Sequence, residues 1–370
     1  MAPVVRELQN RPGTHVVVCS TGQHREMLAP ILQFFGIVPD IDLDLMRPGQ
    51  TLAGLTARLM ESLDDVILRT SPDWVIAQGD TTSVMAAAIA AFYRRVPFAH
   101  VEAGLRTGDY TAPFPEEFHR RVADLTASLH FAPTPAARDQ LIAEGITPDH
   151  VLLSGNTVVD ALLEACRHNP DWATGPLAML SPARPIVLVT AHRRESFGEP
   201  VREICRAIRH LSEIYKTDLV QWVFPVHLNP QVQGPVHEML GNTENIFLLQ
   251  PLDYPWLVQL MKHARLILTD SGGIQEEAPS LGVPVLVLRS TTERPEAVAA
   301  GLSRLVGSLA GDIIRETMAE LGRGVGRAPT GLLHFNPYGD GQAAARIADA
   351  LTGIKTVEFS ACRSSQIGYN

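Results

Sequence analysis

RLILTDSGGIQEEA, residues 265–278, is the stretch on which the fold turns. Residues 265–269 are a short, largely apolar run of the kind that forms a buried strand. The Ser271-Gly272-Gly273 turn ends that strand and opens a helix. A strand running into a helix start brings free backbone N–H groups and the positive end of the helix dipole to one point, where a phosphate would sit. The glycines let the backbone approach such a ligand closely. Glu277 falls one turn into the helix, placed to accept two ribose hydroxyls. Asp and Ser are also good helix caps, so an ordinary capped helix start fits the same letters, and this stretch alone leaves both readings open.

Outward from this point the strand-then-helix unit recurs. Apolar runs at 185–190, 219–225, 246–249 and 283–288 read as strands, and 199–215 reads as an amphipathic helix. A first half repeats the pattern, with strands predicted at 15–19, 74–77, 97–101, 129–132 and 151–153 and helices at 84–93 and 118–128. Strands alternating with helices give parallel sheets with helices on both faces, and such sheets carry ligands at the carboxyl ends of their strands. The expected fold is therefore α/β, two Rossmann-like domains whose parallel sheets face a central cleft. The domains are expected at 1–170 and 184–351, with a polar linker between them. A final helix near 341–351 would cross back to the first domain, and 356–370 would form a loose tail.

The strand ends carry the chemistry. TAHRRE, 190–195, places His192 beside two arginines, a group suited to a phosphoryl oxygen. RSTTERPE, 289–296, offers Arg294, whose planar guanidinium matches a diphosphate, although a solvated ion-pair loop has the same composition. In the first half, QGDTT (78–82), HVEAGLRT (100–107) and PFPEE (113–117) bring Asp80, Glu102 and Glu116 to successive strand ends. Any one of these is easily a cap or turn residue; three together point to acid/base work. TGQHRE, 21–26, adds a further polar strand end. The residues by themselves describe an enzyme or binder for a phosphorylated ligand without fixing the reaction.

Composition agrees. A length of 370 residues suits two domains, and 45% hydrophobic with 19% charged residues is globular. A net charge of −9 argues against nucleic acid as a partner, since that needs a basic face. The cysteines, Cys19, Cys166, Cys205 and Cys362, are scattered without a C-x-x-C pair, which suggests reduced thiols and no zinc site. No signal-peptide pattern and no apolar run of ~18 residues occurs, so a cytoplasmic protein without a membrane partner is expected.

Taken together and in order, TGQHREML, QGDTTS, HVEAGLRTGD, PFPEEFHR, SGNTVVDALL, TAHRRESFG, FPVHLNP, TDSGGIQEEAPSLGVPVLVLR, TTERPEA and NPYGDGQA resemble the non-hydrolysing UDP-N-acetylglucosamine 2-epimerases from residue 1 to about 351. The resemblance implies a glycosyltransferase-B-like fold and interconversion of UDP-GlcNAc and UDP-ManNAc without a cofactor or metal. UDP is eliminated to give 2-acetamidoglucal and then added back with C2 inverted. It implies acid/base roles for Asp80, Glu102 and Glu116. His192 and Arg294 would stabilise the departing diphosphate, Ser271, Gly272 and Gly273 would hold phosphate, and Glu277 the ribose. Leu252, Tyr254 and Leu257 would line the uracil pocket, Leu257 standing where an aromatic is frequent. A homodimer is implied as well. Family members open with a strand, a Gly-Thr-Arg-Pro-Glu loop and a lysine before Met-Ala-Pro. This chain starts at Met1-Ala2-Pro3, so the resemblance implies a start without that strand and phosphate loop. A hydrolysing relative, a diacetamido-uronate epimerase and an inactive UDP-binding chain are the alternatives that product analysis separates.

Overall fold

The computed structural model describes residues 1–23, 25–47, 49–216, 219–322 and 335–360. The chain forms two compact units, Met1–Ala161 with Tyr338–Asn370, and Leu162–Pro337.

In the first unit the order is α1 (Ala2–Gln9), β1 (Cys19–Ser20), α2 (Arg25–Phe34), β2 (Ile41–Asp42), α3 (Leu52–Thr70), β3 (Val75–Gln78) and α4 (Thr82–Arg94). It continues through β4 (Phe98–Val101), α5 (Glu116–Thr126), β5 (Leu129–Ala132), α6 (Pro135–Ala143), β6 (Val151–Leu153) and the first half of α7 (Thr157–Ala165), whose second half belongs to the other unit. Strands β3-β4-β5-β6 form a parallel four-stranded sheet in sequence order, and β1 and β2 pair separately, also in parallel. Parallel neighbours need a crossover each, and α4, α5 and α6 supply them. α4 is almost all alanine on its inner side, with Ala86, Ala87, Ala88, Ala90 and Ala91 buried against α3 and the sheet. Small side chains there let the layers approach closely.

The second unit holds β7 (Ile186–Thr190), α8 (Glu199–Ile214), β8 (Gln221–Pro225), α9 (Pro230–Leu240), β9 (Ile246–Leu249), α10 (Tyr254–His263) and β10 (Ala264–Thr269). Then follow α11 (Gly272–Leu281), β11 (Val285–Val287), α12 (Pro295–Ala299), β12 (Ser303–Leu305) and α13 (Ala310–Gly322). Its six parallel strands run β12-β11-β10-β7-β8-β9, which is the doubly wound 3-2-1-4-5-6 order counted from β7. The order reverses between β7 and β10, so the crevice that receives ligands in such sheets opens at their carboxyl ends. β7 is buried along its whole length, and α8 lays Val201, Ile204, Cys205, Ile208 and Leu211 on the sheet. Burying side chains of this size stabilises by about 1.5–3 kcal/mol each before the entropy of ordering them is charged.

The two parallel-sheet units agree with the expected fold class. The division itself falls at Ala161/Leu162, not in the polar stretch 169–185. That stretch is not a loose linker: the indole of Trp172 packs against His263 at 4.9 Å and Leu177 is fully buried. α14 (Ala343–Leu351) packs on α1 in the first unit, with Ile347 and Ala348 beside Val4 and Leu8. Asp160 of α7 accepts from the N–H groups of Ala343 (3.3 Å) and Ala344 (2.9 Å), which caps α14.

Two other expectations change. Of the strand expected at 15–19, only Cys19 is in β1, and Val17 is 38% exposed. β1 pairs with β2 on one edge, and no second strand flanks it among the described residues, so the run lacks the two-sided pairing that buries a parallel strand. The tail expected from 356 is ordered at its start. The Leu153 N–H donates to Glu358 (3.0 Å), the Phe359 N–H donates to the Leu153 carbonyl (2.8 Å), and Phe359 is buried. Residues 361–370, with Cys362, lie outside the described residues. Cys19, Cys166 and Cys205 are free thiols, and burial pushes that of Cys205 up to about 12. No helix among the described residues is long and apolar enough to cross a membrane.

Gly104 shows how tightly the loop after β4 is set. Its φ is +85°, and a Cβ there would lie 2.2 Å from the carbonyl oxygen of Ala137. Gly104→Ala is therefore expected to lower stability by about 3 kcal/mol or more, from backbone strain and overpacking together. Denaturant titration checks this, and an unchanged midpoint would contradict it.

Candidate functional site

In the first unit the functional groups gather where β3 and β4 end. The two strands are in register, Gln78 opposite Val101, so the turn Gly79–Asp80 and the residue Glu102 leave the sheet side by side. Gly79 has φ +85° and Glu102, a non-glycine, has φ +66°. A left-handed glutamate is strained, and such strain persists only where the surroundings enforce it. Its carboxylate accepts from the Gln78 side-chain amide (3.3 Å). The Gln78 amide oxygen accepts from the Met1 amino group (2.7 Å) and the Thr157 hydroxyl (3.4 Å).

Asp80 is gripped from α5. Its carboxylate is ion-paired with Arg120, and its carbonyl lies 3.1 Å from His119 Nδ1. Burial lowers the pKa of His119, opposed by its bond to the Asp80 carbonyl and by the Glu116 and Asp80 charges. Glu116 stands half-exposed in the first turn of α5. The next residue, Glu117, is fully buried and shapes the loop before it: the N–H groups of Thr107 (3.0 Å) and Gly108 (3.3 Å) donate to its carboxylate. Asp80 and Glu102 thus flank one turn, and His119 of α5 ties that turn to the helix whose first residue is Glu116. Of the polar group at 21–26, Thr21 and Gln23 both bond Ser83 at the start of α4, at 2.9 and 2.8 Å. His24 lies outside the described residues.

In the second unit the groups collect at the switch point between β7 and β10. The hydroxyls of Thr190 and Thr269, opposite each other in the last register pair, are 2.6 Å apart. Just beyond, the fully buried carboxylate of Asp270 accepts from the N–H groups of His192 (2.9 Å) and Arg193 (2.9 Å) and from the Ser196 hydroxyl (2.7 Å). Asp270 therefore does not cap α11; it folds the His192 loop back over the strand ends. Ser271, at the N-cap position, makes no side-chain cap bond either. Neither of the two cap candidates read from the sequence therefore caps α11 through its side chain. The Arg193 guanidinium sits against Gly272, 3.0 Å from where a Cβ would be.

His192 is 39% exposed, and its ring stacks on that of His227 at 5.9 Å. Burial, helped by Arg193 and His227 and opposed by Asp270, lowers its pKa, so at neutral pH the ring is uncharged. Arg294 is ion-paired with Glu276, which fixes its guanidinium on α11, and Arg289 pairs with Glu293 (2.6 Å) and Glu195. Glu277 is buried and accepts from the Tyr254 hydroxyl (2.7 Å). Burial pushes its pKa up to about 7, partly offset by the Tyr254 bond. Tyr254 and Leu257 lie one turn apart on α10, both half-buried, and Leu252 precedes them. Among the described residues no cluster of three or more His, Cys, Asp or Glu could hold a metal.

The sequence had not singled out Gln78, His119, Arg120, Asp124, His227 or the folding role of Asp270. Most lie inside the quoted motifs, but what marks them is a partner distant in sequence.

A doubly wound sheet with an uncapped glycine turn at its switch point, in one chain with a second parallel sheet bearing carboxylates, defines a two-domain α/β nucleotide enzyme of glycosyltransferase-B-like architecture. The sequence profile of the family UDP-N-acetylglucosamine 2-epimerase matches residues 6–352. A UDP-N-acetylglucosamine 2-epimerase of Salmonella typhimurium is 48% identical over 96% of this chain and 95% of its own length. The crystal structure of UDP-GlcNAc 2-epimerase from Neisseria meningitidis bound to UDP-GlcNAc is 42% identical, with a TM-score of 0.86 over 95% of this chain and 96% of that one. An S. aureus co-structure with UDP is 40% identical, with a TM-score of 0.84 over 97% and 95%. The chain belongs to the UDP-N-acetylglucosamine 2-epimerase family.

Glu277 gives a pH-dependent prediction. Its folded pKa, about 7, lies above the ordinary 4.5, so the folded protein holds this proton over a range where the unfolded chain has lost it. The group's contribution to stability therefore falls as pH rises from about 4.5 to 7 and is level above that, a change on the order of 3 kcal/mol. Glu277→Gln, which keeps an acceptor for Tyr254, should raise Tm more at pH 8 than at pH 5. An equal or smaller gain at pH 8 would contradict it.

Proposed function

We propose that the chain is a UDP-GlcNAc 2-epimerase that works by elimination and re-addition of UDP, with the carboxylates of the first unit moving protons and the loops of the second unit holding UDP. The observation that carries this reading is the side-by-side exit of Asp80 and Glu102 from β3 and β4, with Glu116 opening the helix that grips Asp80, in a chain of this family. The C2 hydrogen of the sugar is weakly acidic, so its removal needs a placed base and a stabilised leaving group. One carboxylate takes the C2 proton, the C1–C2 double bond forms, and the electron pair of the C1–O bond leaves with UDP. Re-addition returns UDP to C1 while a different carboxylate delivers a proton to the opposite face of C2. Two or more acid/base groups are therefore required.

For the diphosphate, the N–H groups of Gly272 and Gly273 and the Ser271 hydroxyl serve an anion at the start of α11, the Ser271 N–H being held by the Thr269 hydroxyl (2.9 Å), while the neutral His192 ring as a hydrogen-bond donor and Arg294 as a cation stabilise the departing diphosphate. The ionised form of Glu277 accepts ribose hydroxyls, with Tyr254 holding one of its oxygens. Leu252, Tyr254 and Leu257 take the uracil. No cofactor enters, because the sugar is neither oxidised nor reduced overall. The homodimer implied by the resemblance belongs to the same proposal; Phe92 (61% exposed), Tyr93 and Leu125 are large apolar groups left uncovered on the first unit.

Three measurements test this. Asp80→Asn and Glu102→Gln should each cut incorporation of solvent deuterium at C2 by about 100-fold or more, while UDP affinity stays within about threefold. Near-normal exchange in both would remove them from proton transfer. Arg294→Ala should weaken UDP binding by roughly tenfold or more, the scale of a charge-assisted bond, and unchanged affinity would reject that contact. Sedimentation should give twice the chain mass of 40.3 kDa, and a monomer at micromolar concentration would end the dimer proposal.

A further inference from the structure

Behind the carboxylates of the first unit lies a titratable pair that the proposed chemistry leaves unused. His100, in β4, is fully buried, and both its ring nitrogens face oxygen. Nδ1 is 2.5 Å from a carboxylate oxygen of Asp124, and Nε2 is 2.8 Å from the carbonyl oxygen of Gly79. A peptide carbonyl has no proton to give, so Nε2 is a donor. The other oxygen of Asp124 accepts from the Gly104 N–H (3.2 Å) and lies 2.8 Å from the Arg106 guanidinium. Those two donors hold Asp124 as a carboxylate, which makes Nδ1 a donor as well. A ring that donates from both nitrogens is an imidazolium.

The carbonyl held by this ring belongs to the turn that presents Asp80. The Gly79 N–H is itself tied to the Val101 carbonyl at 3.0 Å, so the peptide units on both sides of Gly79 are fixed to β4. Two residues on, just past the end of β4, stands Glu102, in its left-handed conformation. The buried cation thus bonds the turn that carries Asp80 and lies near Glu102.

We propose that His100, kept charged by Asp124, is a positioning residue for proton transfer. It fixes the Gly79–Asp80 turn against Glu102 and sets a permanent positive charge beside that turn and near Glu102. The inference rests on the reading that Asp80 and Glu102 move protons. The groups around His100 are Asp124 from α5, with Arg106 from the loop after β4 paired to that carboxylate, Glu102 just past the end of β4 and the Gly79 carbonyl after β3. From β5, His130 donates to the Asp124 carbonyl at 2.8 Å. Arg106 is shared between Asp124 and Glu144, so its charge does not fall on the ring alone. Burial by itself disfavours the charged ring. The Asp124 charge and bond, the Gly79 bond and Glu102 outweigh it, and the pKa of His100 lies above its ordinary value. The ring is therefore charged at neutral pH. Removing the anion of Asp124 takes away its charge and its bond, two of the contributions that hold the ring charged against burial.

The test uses the full chain with UDP-GlcNAc, measuring kcat, KM, C2 exchange and UDP affinity from pH 6 to 9. His100→Gln, which keeps only one of the two bonds, should lower kcat by about 100-fold, the scale of a catalytic group misplaced by about 1 Å, with KM and UDP affinity within about threefold. Asp124→Asn should show kcat falling as pH rises over a range where the wild type shows no such loss. If His100→Gln does not fold, the Asp124→Asn profile decides alone. Wild-type kcat in both variants, or an Asp124→Asn profile parallel to that of the wild type, overturns the inference. So does an equal loss of kcat and UDP affinity, which would mark a merely structural pair. Asp80→Asn and Glu102→Gln run alongside separate the two failures. Exchange lost there but kept in His100→Gln defeats only the positioning role; exchange kept in the carboxylate variants defeats the acid/base reading beneath it.

Discussion

Parallel pairing at two strand junctions, β3 with β4 and β7 with β10, is the constraint on which both halves of this protein depend. A parallel sheet delivers all its strands to one edge at their carboxyl ends, and in-register neighbours deliver the next residues side by side. In the second unit the Thr190–Thr269 hydroxyl bond closes the register, and the residues just beyond it are the His192 loop and the glycine turn. In the first unit Gln78 opposite Val101 does the same for Asp80 and Glu102.

Each junction is then secured by one buried charge, an anion under the His192–Arg193 loop and a cation under the turn that carries Asp80. Asp270 lies beneath His192 and Arg193 and holds their backbone N–H groups. The His100 imidazolium holds the Gly79 carbonyl in the turn that carries Asp80. A buried ion is costly unless it is paired and hydrogen-bonded, and both of these are bonded on every side that the structure describes. The arrangement fixes loops that would otherwise sample many conformations. Geometry and local electrostatics come from the same residue in each case.

Much of this was legible in the sequence because it is local. Short apolar runs, glycine turns and polar residues at strand ends gave the α/β class and placed Asp80, Glu102, Glu116, His192 and Ser271 at strand or helix ends, with Glu277 inside the helix that follows. The failures are of the opposite kind. Residues 15–19 have strand letters, but a parallel strand is made by its neighbours, and only Cys19 found one. Residues 169–185 have linker letters, yet Trp172 and Leu177 found cover on the second unit. Glu358 and Phe359 have tail letters and pair with Leu153. Arg120, Asp124 and Asp270 act through partners 40, 24 and 78 residues away, a relation that no spacing rule reports.

The account stands most directly on the fate of the sugar's C2 hydrogen and of the bond to UDP. The decisive measurement is a proton NMR time course of the wild-type chain with UDP-GlcNAc in D2O. The account predicts UDP-ManNAc carrying deuterium at C2, loss of the C2 proton from the remaining UDP-GlcNAc, and no build-up of free amino sugar. Accumulation of free ManNAc with UDP, or an epimer that retains its C2 proton, would contradict it.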